Sequence, residues 1–120
     1  MHRQIAVLLF PQFSNLCLAN MVEPLRAANT LSRKTLYQWH FIGLDAGPVL
    51  SSSGLPVTPE MALSDLVRAD YLCVMPSYGH REFLRAPILR RLRAAAGRCA
   101  ALVGLDTGSL VLAAAGLMDG

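Results

Sequence analysis

Short runs of Ile, Val and Leu alternate along the chain with segments whose apolar residues recur every three or four positions, a pattern that predicts strands separated by helices. Arg3 to Phe10, closed by Pro11, predicts a central first strand. Ser14 is placed as a helix N-cap, and Leu16, Cys17, Met21, Leu25 and Ala28 recur at helical spacing over Asn15 to Asn29. Pro24 removes one backbone bond there, so a kink or a second helical segment is expected. Leu36 to Asp45 predicts a second strand whose mixed polarity puts it nearer an edge. Ala46 to Gly54 reads as a loop or small hairpin, Leu55 to Thr58 as a local pairing, and Pro59 as the start of a short helix through Val67. Asp70 to Met75 predicts a third core strand, with a turn at Pro76 to Gly79 after it. His80 to Ala96 predicts an amphipathic helix interrupted early by Pro87, with Gly97 as its C-cap. Arg98 to Leu105 predicts a fourth strand, and Ser109 to Ala115 a helix.

Strands joined through helices imply parallel crossovers, so the expected fold class is α/β, a doubly wound, mostly parallel sheet with helices on both faces. Ligands bind such sheets beyond the carboxyl ends of the strands. The turns at that end are Pro11 to Asn15, Pro76 to Gly79 and Asp106 to Gly108, so residues distant in sequence are brought to one crevice.

Composition narrows the class further. With 120 residues, 53% of them hydrophobic, the chain suits one compact domain. Its longest apolar runs fall far short of the roughly 20 residues a membrane span needs, and no signal-peptide core opens it, so a cytoplasmic protein without a membrane partner is expected. Cys17, Cys73 and Cys99 are widely spaced in apolar sequence, which favours reduced thiols over a disulfide framework or a zinc site, and no cofactor is called for. The net charge of +3 owes much to Arg81, Arg85, Arg90, Arg91, Arg93 and Arg98. No aromatic residue interleaves with them after Phe83, so they read as the solvated face of a helix and its exit rather than a nucleic-acid patch.

The most distinctive chemistry lies in Leu102 to Gly120. Gly104 and Gly108 flank Asp106 in the spacing G-x-D-x-G, that of a nucleophile elbow, where a strained strand-to-helix turn lifts one side chain above the sheet. Ser or Cys usually holds that apex; here it is a carboxylate.

These residues resemble the DJ-1/PfpI group of the class I glutamine amidotransferase-like fold, which is flavodoxin-like. More narrowly, the chain resembles the amino-terminal domain of AraC-type, GlxA-like transcriptional regulators. The resemblance is carried by Glu23-Pro24-Leu25-Arg26-Ala27-Ala28-Asn29, by Leu36-Tyr37-Gln38-Trp39, and above all by Asp106-Thr107-Gly108 with Ala115-Gly116-Leu117-Met118-Asp119-Gly120 downstream. It implies that the family's reactive cysteine falls on Asp106, its oxyanion-type turn on Ser77, Tyr78 and Gly79, and its acidic helix partner on Cys17, so that thiol and carboxylate have exchanged places. Glu23 lies six residues beyond Cys17 and projects from a different side. The resemblance also implies a chain that is a fragment of its sensor domain, a DNA-binding domain outside it, and a homodimer. Regulators of this kind respond to arginine, carnitine or glycine betaine.

Each site residue keeps two readings. Asp106 is a helix N-cap gaining about 0.3 to 1 kcal/mol from the helix dipole, or, with Thr107 beside it, an ionised contact for a guanidinium or quaternary ammonium. As a nucleophile it would need a water-positioning base that the chain does not visibly supply. Cys17 is core or pocket, and Glu23 pairs with Arg26 or faces the ligand. Ser77, Tyr78 and Gly79 line the pocket or only turn the chain. His2, His40 and His80 receive no task, and Tyr37 and Trp39 read as packing or dimer-surface residues. The leading expectation is a non-catalytic sensor of a small amine-bearing metabolite in a transcriptional regulator. The rivals are a DJ-1/PfpI-type hydrolase, amidase or glyoxalase-like enzyme, and a purely structural dimerisation module.

Overall fold

The computed structural model describes residues 2–75 and 86–104. Five parallel strands form the sheet in the order β5-β2-β1-β6-β7, where β1 is Arg3–Leu9, β2 Tyr37–Gly43, β5 Met61–Ala62, β6 Ala69–Met75 and β7 Cys99–Gly104. Two helices cover it, α1 over Asn15–Ser32 and α2 over Ala86–Ala96. A small antiparallel hairpin, β3 (Val49–Leu50) with β4 (Pro56–Val57), follows β2 as the local pairing expected at Leu55 to Thr58.

β1 supplies the hinge of this arrangement. Its residues alternate between two cores: Ala6 and Leu8 join Leu72, Val74, Ile42 and the α2 residues Ile88, Leu92 and Ala95, while Ile5, Val7 and Leu9 join Cys73, Met75, Phe13 and the α1 residues Cys17, Leu18, Met21 and Leu25. A strand buried on both faces tolerates an unbroken apolar run, which is why RQIAVLL shows little polar alternation. From β1 the chain crosses to β2 on one side and later from β6 to β7 on the other. Right-handed crossovers in opposite directions must place their helices on opposite faces, as α1 and α2 are.

Ser14 caps α1 by accepting the Cys17 N–H at 3.1 Å. The helix then continues through Pro24, so no second segment starts there; the carbonyl that loses its donor belongs to Asn20, an exposed residue open to water. Leu16 departs from the expected stripe and is 71% exposed, because the inward face is drawn by Cys17, Leu18, Met21 and Leu25. The helix ends on Arg33 in the left-handed region (φ 58°), whereas Gly97 after α2 does not adopt positive φ. There the Arg98 N–H closes onto the Ala95 carbonyl at 2.9 Å, so no left-handed residue is needed.

The short helix expected from Pro59 to Val67 is replaced by β5 and a single 3-10 turn, Leu63–Asp65. Glu60 donates its N–H to the Phe41 carbonyl at 2.8 Å and draws the following residues alongside β2, so a partner at the sheet edge overrides local preference. The start of that edge is covered by a side chain. Asn29 Oδ1 accepts the N–H groups of Leu36 (2.8 Å) and Tyr37 (3.0 Å), and its Nδ2 donates to the Tyr37 carbonyl at 2.8 Å. One carboxamide thereby stands in for the next strand.

Candidate functional site

The register aligns Leu9 with Met75 and Val74 with Gly104, so the chain leaves β1, β6 and β7 side by side. Between β1 and β6 the direction of winding reverses, the place where open α/β sheets bind ligands. Ser77, Tyr78 and Gly79 follow β6, and Asp106 and Thr107 follow β7; all five lie outside the described residues, as do the helix expected at Ser109 to Ala115 and residues 80–85 of the helix expected from His80, including Arg81 and Arg85. The site can be built here from the β1 side.

Leu9 passes into Phe10, Pro11, Gln12 and Phe13 before α1 begins. Gln12 is held at φ 70°, a conformation that strains a residue with a Cβ. It is fixed from both sides: its N–H donates to the Leu50 carbonyl at 2.7 Å, and Phe13, fully buried, accepts the Ser52 N–H at 2.9 Å. Ser51 is buried beneath them, its Oγ accepting the Leu55 N–H at 3.0 Å. Asn15 donates to Ser53 Oγ, while its Oδ1 is buried and has no hydrogen-bond partner among the described residues.

Cys17 stands in the first turn of α1, half-buried, and lines a largely apolar hollow of about 320 Å³ with Ser14, Leu16, Asn20 and Met21. Burial pushes Cys73 up to about 11. Burial raises Cys99 as well, against the opposing pull of a backbone hydrogen bond at Ala69 and of the Arg98 guanidinium. Glu23 lies on the exposed side of α1 and pairs with Arg26 at 2.9 Å, the structural one of its two readings. Among the described residues no group of three or more His, Cys, Asp or Glu is placed to hold a metal ion.

His40 has Glu60 Oε2 2.9 Å from Nδ1 and Gln4 Oε1 2.7 Å from Nε2, joining β1, β2 and the approach to β5. Among the arginines read as a solvated face, Arg91 donates to the Leu44 carbonyl at 3.0 Å and Arg98 is only half-exposed, so these two tie α2 and its exit to neighbouring loops. Tyr37 and Trp39 pack against the α1-side core.

No family model matches the chain. It is 41% identical over 113 residues to the HTH-type transcriptional regulator CdhR of Pseudomonas aeruginosa, covering 94% of this chain and 33% of that protein. It is 33% identical over 118 residues to an isonitrile hydratase of Pseudomonas putida, covering 98% of this chain and 49% of that enzyme. Among solved structures, it is similar to an AraC family transcriptional regulator from Pseudomonas putida, with TM-score 0.80 and 32% identity over 98% of this chain and 63% of that one. A THiJ/PfpI family protein from Pseudomonas syringae superposes with TM-score 0.76 at 23% identity, covering 100% of this chain and 48% of that one, a likeness of fold. The chain thus spans about a third of the length of the regulator CdhR.

Proposed function

For a chain that has the DJ-1/PfpI fold and is related in sequence to HTH-type transcriptional regulators, we propose a ligand-sensing, non-catalytic role within a regulator whose DNA-reading domain lies elsewhere. The observation that carries this reading is the reversal of winding between β1 and β6, where sheets of this kind bind ligands, in a sequence that aligns with a regulator along 94% of its length. The proposed effector is a small amine-bearing metabolite of the arginine, carnitine or betaine kind, with Asp106 and Thr107 as its contacts beyond β7, Ser77, Tyr78 and Gly79 beyond β6, and Cys17 on α1. Glu23, tied to Arg26, is the weakest member of that set. Asn15 Oδ1, buried at the start of α1 without a partner among the described residues, suits the N–H donors of a guanidinium such as arginine's, whereas the trimethylammonium of carnitine or glycine betaine has none to offer.

The test is thermal melting with each of the three compounds, because a ligand that binds only the native state raises the melting temperature by mass action. A rise with one of them is expected, and a melting temperature unmoved by saturating amounts of all three would favour a structural dimerisation module. Asp106→Ala should abolish the rise while costing at most about 1 kcal/mol of stability. Loss of stability alone, with the rise intact, would reduce Asp106 to a helix cap.

The relationship to an isonitrile hydratase keeps a second reading, an enzyme of the DJ-1/PfpI type. It requires a reactive thiol, and Cys17, half-buried in the first turn of α1 and lining a hollow, is the candidate. Titration with Ellman's reagent at pH 7 should label Cys17 slowly on the sensor reading. Labelling faster than a free thiol in peptide would favour the enzyme.

A further inference from the structure

Six of the nine basic residues among the described residues lie at the strand-start end of the sheet. Arg3 opens β1, Arg33 and Lys34 lie in the turn before β2, Arg68 immediately precedes β6, and Arg98 immediately precedes β7. Arg93 adds the last turn of α2, which also ends there. The strand starts are level, since Arg3 pairs with Tyr37, Ala69 with Cys99, and Ile5 with Tyr71. Adjacent strands are about 4.8 Å apart, so the row from β2 to β7 extends about 15 Å. Arg3, Arg33, Lys34, Arg68 and Arg93 are exposed.

Among the described residues little acid offsets Arg3, Arg33, Lys34 and Arg68. Asp70 accepts the Gln4 N–H at 2.7 Å and lies 4.0 Å from Arg3, and Asp65 is the only other described acidic residue between β5 and β6. By contrast, the loops leaving β1 and β2 at the crevice end, residues 10–14 and 44–48, contain no basic residue. One end of a chain whose net charge is only +3 therefore holds most of its described positive charge.

From this row we infer that the strand-start end of the sheet docks on the phosphate backbone of duplex DNA, adding a sequence-independent contact to whatever reads the bases. A row of cations suits a polyanion with a regular charge every few ångströms, and such contacts position a protein without specifying sequence. The choice of DNA over another polyanion rests on the regulator reading; the surface itself does not depend on the effector.

The experiment is fluorescence anisotropy of the purified full chain with a labelled 20-base-pair duplex of arbitrary sequence, without effector, between 50 and 200 mM salt. K34E/R68E is compared with R26E/R90E, which changes net charge equally on the outer faces of α1 and α2, and melting curves confirm that both variants fold. K34E/R68E should weaken binding about tenfold at the lowest salt and reduce the slope of log affinity against log salt by about 2, while R26E/R90E leaves the slope near that of the parent. K34Q/R68Q replaces the reversal if K34E/R68E does not fold. Equal losses in both variants, or no binding by the parent, would overturn the inference. So would binding to poly-glutamate as tight as to the duplex, which would assign the surface to an acidic polypeptide. The effector melts use no DNA, so failure of the sensor reading and failure of this contact are separate results.

Discussion

Where the strands begin, the sheet is finished by polar side chains: Asn29 closes the β2 edge with three hydrogen bonds, and Asp70 takes the Gln4 N–H. Where the strands end, the loop after β1 is pinned by the fully buried Phe13 and by backbone bonds to the hairpin, and it holds Gln12 in a strained conformation. Each end holds one non-glycine residue in the left-handed region, Arg33 at the first and Gln12 at the second, and one buried polar atom without a hydrogen-bond partner among the described residues, Arg98 Nε and Asn15 Oδ1. What differs is how each end is closed: by polar side chains and exposed charge where the strands begin, and by a buried aromatic ring with backbone bonds to the hairpin where they end.

The largest effect should come from removing the apolar pin. Phe13→Ala should cost about 3 to 5 kcal/mol, the range for a buried Phe, and loosen the hairpin along with the loop. Urea denaturation gives the first quantity, and amide exchange at Ser52, whose N–H is held by the Phe13 carbonyl, gives the second. Protection at Ser52 unchanged in Phe13→Ala would mean that the loop is held by its hydrogen bonds instead.

At the opposite end Asn29→Ala should cost about 2 kcal/mol, because two part-buried hydrogen bonds each contribute about 1 kcal/mol and the exposed one from Leu36 less. Asn29→Asp keeps both acceptor contacts, and at low pH, where its carboxyl is protonated and can donate to the Tyr37 carbonyl, it should recover part of that loss. Equal destabilisation by the two would show that the carboxamide is not serving as a strand mimic. Smallest is Gln12→Gly, which relieves the left-handed conformation and should raise stability by about 0.5 kcal/mol once the added freedom of the unfolded chain is subtracted. A decrease in the urea midpoint would remove strain from the description of the crevice end.

Periodicity made the framework legible because burial on both faces leaves an unmistakable signature: the central strands came out within a residue or two of Arg3 to Phe10, Asp70 to Met75 and Arg98 to Leu105. Ser14 was equally readable, since a capping hydroxyl acts on the next three residues. The segment after Pro59 was not, because the Phe41 carbonyl that captures Glu60 is distant in sequence. The role of Asn29 was hidden for the same reason: a carboxamide ending a helix has no local feature announcing that it will substitute for a strand. Of the candidate site, Cys17 and Glu23 were separated by helical spacing, and the structure sets the first against a hollow and the second beside Arg26.

By itself the amino-acid order determined the alternation of strand and helix, the two-sided burial of β1 and the resemblance carried by Asp106 and its surroundings, all consequences of contacts within a few residues or of composition along one element. Strand order, the reversal of winding between β1 and β6, and the collection of Arg3, Lys34, Arg68 and Arg98 at one end were decided only in three dimensions. Parallel pairing joins segments dozens of residues apart, and no local pattern records which neighbours they will have.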